Sequence, residues 1–121
     1  MDGKYLPDYV FSESAEQLAT RWIAEFENGI EDPQIKPGFI KISINAESPF
    51  RQVDAKLVRA AGLTHQKTGL RIASHTGAWF AAEQKVAILQ ELGIDSFAFL
   101  RVQAQEETDF PNFKKAADLG V

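Results

Sequence analysis

The chain has 121 residues, enough for one domain around one core, and its 45% apolar and 25% charged residues exclude a disordered protein. A formal net charge of −4 removes any electrostatic case for nucleic acid or an anionic membrane surface, and the absence of cysteine excludes disulfides, thiolate metal sites and cysteine nucleophiles. No apolar run approaches the roughly 20 residues of a membrane helix, and Met1-Asp2-Gly3-Lys4 does not open a signal sequence, so the expected location is the cytoplasm.

Residues 1–11 read as a loop, broken by Gly3 and Pro7. Ser14-Ala15-Glu16-Gln17 has the spacing of a capping box. Ala15, Leu18, Ala19, Trp22, Ile23, Phe26 and Ile30 follow at spacings of three and four, which puts them on one helical stripe; Gly29 and Pro33 end it. Pro37-Gly38 introduces a β-branched strand from Phe39 to Ile44, with Phe39, Lys41 and Ser43 on one face and the isoleucines on the other. Ser48-Pro49 reads as a helix start, and Val53, Leu57, Val58, Ala60 and Ala61 carry the helix to a stop at Thr68-Gly69. Leu70 to Ser74 is a second strand, closed by His75-Thr76-Gly77. A helix from about Trp79 to Leu92 ends at Gly93, Phe97 to Ala104 reads as a third strand, and Pro111, Phe113, Ala116, Ala117 and Leu119 mark a last helix.

About three strands thus alternate with four helices, which implies an α/β fold with right-handed parallel crossovers. Such sheets are expected to be buried on both faces. An open doubly wound sheet and part of a (β/α)8 barrel both fit. A whole barrel takes about 250 residues, so this chain would supply less than half of one.

Lys41 is the first anomaly, an amine inside an apolar strand. If both sheet faces are covered it is partly desolvated, and desolvation disfavours the ammonium. A neutral amine can act as a nucleophile or take up carbon dioxide as a carbamate, which can bridge two metal ions. The alternative is a lysine that snorkels to the strand end or pairs with a carboxylate. His75 is the second candidate, at the C-terminal end of a strand, where α/β enzymes place their chemistry. A neutral imidazole there suits a divalent metal, and a polar strand end bonded to backbone is the alternative. His65 falls near a helix end, where it can complement terminal carbonyls without ligating anything. Arg101 and Gln103 are expected on one strand face with Phe99 and Gln105, either a functional or a merely wet surface. Glu106-Glu107 reads as a solvated loop, and Gly77 before a helix is a weak anion-site hint. Phosphate-loop, nucleophile-elbow and His-Glu-x-x-His patterns are absent.

Gly38-Phe39-Ile40-Lys41-Ile42, Leu57-Val58-Arg59-Ala60-Ala61 and Thr68-Gly69-Leu70-Arg71-Ile72-Ala73-Ser74-His75-Thr76-Gly77 together resemble the phosphotriesterase family of the amidohydrolase superfamily. Glu83-Gln84, Ile88-Leu89 and Leu92-Gly93-Ile94 continue the match in order, and the Ala15-Glu16-Gln17-Leu18 helix begins it. The resemblance implies a (β/α)8 TIM barrel with two divalent metal ions, commonly Zn2+, at its C-terminal face. It makes Lys41 a carbamylated lysine bridging the metals and His75 a metal ligand. A metal-bound hydroxide then hydrolyses phosphotriesters, lactones or related esters.

Against the family pattern, residues 1–121 correspond to an incomplete barrel that begins after the third strand and ends before the seventh. The His-x-His of the first strand and the aspartate of the eighth have no counterpart. The family's Val-His-Ala-Gln appears as Val102-Gln103-Ala104-Gln105, so Gln103 is a degenerate metal position, and a glutamine carbonyl is a poor substitute for imidazole. Arg101 beside it adds positive charge. The expectation is a hydrolase segment that is inactive alone. It would be completed by a complementary chain or self-associate through open sheet edges. The alternative is a non-catalytic homologue in which Lys41, Arg101 and Gln103 bind a small anion.

Overall fold

A computed structural model describes residues 5–44 and 51–121. The chain begins with a short helix α1 (Asp8–Ser12) where a loop was expected. Pro7 precedes it, Asp8 complements its N-terminal dipole, and Val10 is buried against Leu18 and Leu57. The capping box then opens α2 (Ala15–Asn28): Ser14 Oγ accepts from the Gln17 amide at 3.2 Å, and Gln17 Oε1 accepts from the Ser14 amide at 2.8 Å. Gly29 ends α2 at φ +88°, where an added Cβ would lie 2.2 Å from the Asp32 carbonyl oxygen.

Three parallel strands follow, each separated from the next by a helix: β1 (Ile40–Ser43), α3 (Gln52–Thr68), β2 (Ile72–His75), α4 (Trp79–Glu91) and β3 (Phe99–Val102), with α5 (Phe110–Leu119) last. The expected start of α3 at Ser48-Pro49 lies outside the described residues. Its end is as expected, with Gly69 in the left-handed conformation. β3 is shorter than its sequence suggests. Asp95 accepts from the Phe97 amide at 2.8 Å and holds Ser96–Ala98 in a 3-10 turn before the strand. After it, Gln103 turns out at φ +66° into a second 3-10 turn, Ala104–Glu106.

The strand order is β1-β2-β3, without reversal. Two successive right-handed crossovers stepping in one direction place α3 and α4 on the same side of the sheet. A doubly wound sheet would reverse its order and cover the second side; this one does not. Ile40, Ile42, Ile72 and Phe99 point to the helices and are buried with Val58 and Ala61 of α3 and Trp79, Ala82, Val86 and Leu89 of α4. A second cluster of Val10, Leu18, Leu57 and Ala60 joins α1, α2 and α3.

The opposite face corrects the expectation of a sheet covered twice. Phe39, Leu100 and Val102 stand 56%, 42% and 37% exposed there. They line an open groove of 570 Å³ with Lys41, Arg71 and Ala73. Among the described residues, no helix is long and apolar enough to cross a membrane.

One-sided burial separates two substitutions. Ile72→Ala, at a fully buried centre of the sheet, is expected to lower unfolding free energy by about 2–5 kcal/mol. Leu100→Ala, on the open face of the neighbouring strand, is expected to change it by less than about 0.5 kcal/mol. Chemical denaturation at low protein concentration measures both.

Candidate functional site

The pairing register decides which side chains share a face. Lys41 is level with Ala73 and Leu100, and Ser43 with His75 and Val102. Lys41 and His75 therefore stand on the same open face, on adjacent strands and two residues apart along them. Strand geometry puts their Cα atoms roughly 8 Å apart. His75 is the last residue of β2 and is half-buried. Lys41 is exposed, and its Nζ donates to the Ile42 carbonyl at 3.1 Å. The expected desolvation of Lys41 fails here because it depended on a second layer over this face. Among the described residues, no group of three or more His, Asp or Glu side chains could hold a metal ion. The His75 imidazole is a donor suited to a divalent metal, whereas an unmodified lysine ammonium is not, so the pair as it stands supplies only part of a coordination shell.

Arg101 does not share a face with Lys41. Arg101 is level with Ser74 and Ile42, on the helix side of the sheet. Its side chain is 3% exposed and spans the strand ends: Nε donates to the Thr76 carbonyl at 3.3 Å, and Nη2 donates to the Gly77 carbonyl and to Glu107 Oε2, the latter at 3.2 Å. An anion site built from Lys41, Arg101 and Gln103 together is not what this register produces. Gln103 leaves the strand in a left-handed conformation, and its Oε1 is buried with no donor. The strand alternation that grouped it with Phe99 and Arg101 stops at Val102.

Glu107 was read as solvated, and the structure corrects this: its side chain is 8% exposed. Its Oε1 accepts from the amides of Asp109 and Thr108 at 3.0 and 3.1 Å. Its Oε2 accepts from the amide of Trp79, the first residue of α4, at 2.8 Å. The Asp109 amide above all, then the Trp79 amide, Asn112 and Arg101, hold its carboxyl at about 2. The helix start that Gly77 flagged as anion-binding thus holds an anion from the chain itself. His65, near the end of α3, donates its Nδ1–H at 2.9 Å to the carbonyl of Leu70, beyond the helix, and not to a terminal helix carbonyl as expected.

Lys85 escaped the sequence reading. It is fully buried. From α4 its Nζ reaches Ser74 Oγ at 2.9 Å, the His75 carbonyl at 3.3 Å and Thr76 Oγ1. Burial pushes its amine down to about 7; the negative charge of Asp54 opposes this and the positive charge of Lys41 adds to it.

Two outcomes follow from these buried charges. The folded value of Lys85 lies below its value in an unfolded chain, so between about pH 7 and pH 10 the folded protein binds fewer protons than the unfolded one. This group therefore makes stability rise with pH through that window, by an amount on the order of a few kcal/mol. Melting temperatures at pH 6.5 and pH 9.5 are expected to show this rise in the wild type and to lose it in Lys85→Met. Glu107→Ala strands the Arg101 cation in a buried setting, and denaturation should read a loss of about 3–5 kcal/mol.

Comparison with known proteins agrees with this geometry. A sequence model of the phosphotriesterase family matches residues 2–121. The chain is 28% identical to the phosphotriesterase homology protein of Escherichia coli over 117 residues, covering 97% of this chain and 40% of that protein. It is 30% identical to an aryldialkylphosphatase of Saccharolobus solfataricus, covering 95% of this chain and 37% of that protein. The crystal structure of the Escherichia coli protein, complexed with phosphate in its active site, superposes with a TM-score of 0.85. A Listeria monocytogenes lactonase, at 24% identity, shares the fold with a TM-score of 0.85 over 94% of this chain and 34% of its own. The chain spans about 40% of the length of the relatives it matches. Its three strands and their helices form part of a TIM barrel, the open face being the one that a full barrel turns inward. By sequence match along its length and by superposition, this chain belongs to the phosphotriesterase family of hydrolases.

Proposed function

We propose that this chain is the central part of a phosphotriesterase-type hydrolase site, contributing Lys41, as its carbamate, and His75 to a pair of divalent metal ions. Zinc is the expected metal. The strands are read as the fourth to sixth of the barrel. The chain is inactive until the remaining strands, from further sequence or from a second chain, cover its open face. The observation that carries this reading is the shared face: Lys41 and His75 project from adjacent strands onto the same open face of the sheet, His75 at the end where barrel enzymes work.

The metal ions, when bound, would polarise an ester, lactone or phosphotriester and acidify a water molecule. His75 would hold a metal through its imidazole. Lys41 would need a neutral amine to take up carbon dioxide, and a second layer over the open face would favour it by desolvation. Completion of the barrel and modification of Lys41 are thus coupled. Gln103 is the weak position: at this place in the sequence the resemblance expects an imidazole, for which a glutamine carbonyl is a poor substitute.

The test is hydrolysis of an aryl phosphotriester and of a lactone with added zinc or cobalt. The 121-residue chain alone is expected to be inactive. Co-expression with a chain carrying the other five strands of an eight-stranded barrel, the His-x-His pair and the aspartate is expected to give turnover. Lys41→Ala and His75→Ala each abolish it. Gln103→His, which the left-handed backbone tolerates better than most residues, is expected to raise it by at least about tenfold. Turnover by the isolated chain, or turnover of the completed barrel indifferent to Lys41 and His75, refutes the proposal.

A further inference from the structure

Nothing in the packing of α4 asks for a cation at position 85. The residue faces the sheet among Ala81, Ala82, Val86 and Leu89, all buried, where an apolar side chain would complete the layer. A buried amine is unfavourable unless its hydrogens find acceptors. The acceptors of Lys85 all come from one place: Ser74 Oγ, the His75 carbonyl and Thr76 Oγ1, three consecutive residues at the end of β2.

Ser74 and Thr76 are buried, and their hydroxyls bond each other at 3.1 Å. They flank His75, whose side chain points the other way, onto the open face. The Thr76 amide donates to the Val102 carbonyl at 3.0 Å, so the same point is also tied to β3. Immediately beyond, Gly77 and Ala78 lead from the strand into α4.

We infer that Lys85 is a positioning residue for His75, a three-point clamp beneath the strand end that fixes the direction in which the imidazole leaves the sheet. Its use in catalysis rests on the reading of His75 as a metal ligand; the clamp itself does not. Groups behind a ligand commonly set its orientation in this way. The clamp differs from an ordinary core contact in its energetics. Burial of the amine is itself costly, so an apolar side chain of similar length is expected to keep the fold while the three acceptors at the strand end lose their shared donor.

Solution NMR of the full chain tests this by comparing the wild type with Lys85→Met. In the wild type the χ1 couplings of His75 are expected to report a single rotamer. In the variant they average, amide exchange at Thr76 accelerates by at least roughly tenfold, and the melting temperature at neutral pH stays equal or rises. Cobalt added to the chain completed by the remaining barrel strands reports the metal reading separately. There it should broaden His75 resonances in the wild type, and half-broadening of the variant should need at least about tenfold more cobalt. Unchanged His75 couplings and Thr76 exchange in the folded variant overturn the positioning role, whatever cobalt does. Averaged couplings in the variant, with no cobalt effect on His75 in either protein, uphold the clamp and overturn the metal reading. If Lys85→Met fails to fold, Ser74→Ala serves instead. It removes one of the three acceptors, and the same averaging of His75, in smaller degree, supports the clamp while its absence refutes it.

Discussion

Burial of one face of a three-stranded parallel sheet beneath α3 and α4 is the constraint on which the remaining features depend. The isoleucines of β1, Ile72 of β2 and Phe99 of β3 meet apolar residues of both helices, and this layer sets the register of all three strands. Because side chains alternate along a strand, fixing that layer also fixes the opposite one. Lys41, Ala73, His75, Leu100 and Val102 are presented together as a consequence of where the isoleucines go. The candidate site is in this sense a by-product of the core.

Charge inside the helix layer organises the C-terminal end of the sheet. Lys85 holds the end of β2 from below, and Arg101 reaches from β3 to the carbonyls of Thr76 and Gly77 and to Glu107. Glu107 in turn accepts from the first amide of α4. The loop after β2 and the loop after β3 are therefore joined by ionic groups of low exposure, in which the screening that weakens surface ion pairs is reduced. In a barrel, these loops form the working face.

Local rules made much of the fold legible. The spacing of Ser14 and Gln17 announced α2, Thr68-Gly69 announced the end of α3, and the isoleucine alternation announced β1. The covering of the sheet was not legible, because β-branched strands look alike whether one face or both are buried; strand order settles it, and order is a tertiary property. Lys41 and His75 were visible as anomalies, whereas their common face required the register. Lys85 had a signal that passed unread. It lies four residues after Ala81 and four before Leu89, on the apolar stripe of α4, so helical periodicity placed it in the core despite its charge. Glu107 had no such signal, since its partners Trp79 and Arg101 are set by the fold and not by local spacing.

The carboxylate at the start of α4 bears on molecular recognition. Helix N-termini are a common means of gripping phosphoryl oxygens, because the first amides and the macrodipole favour negative charge. Here that pole is already neutralised by Glu107, and the nearby guanidinium of Arg101 is engaged by the same carboxylate. An anion approaching this corner would find the first amide of α4 already bonded and the arginine already held by Glu107 through Nη2, its buried Nη1 being without a partner among the described residues.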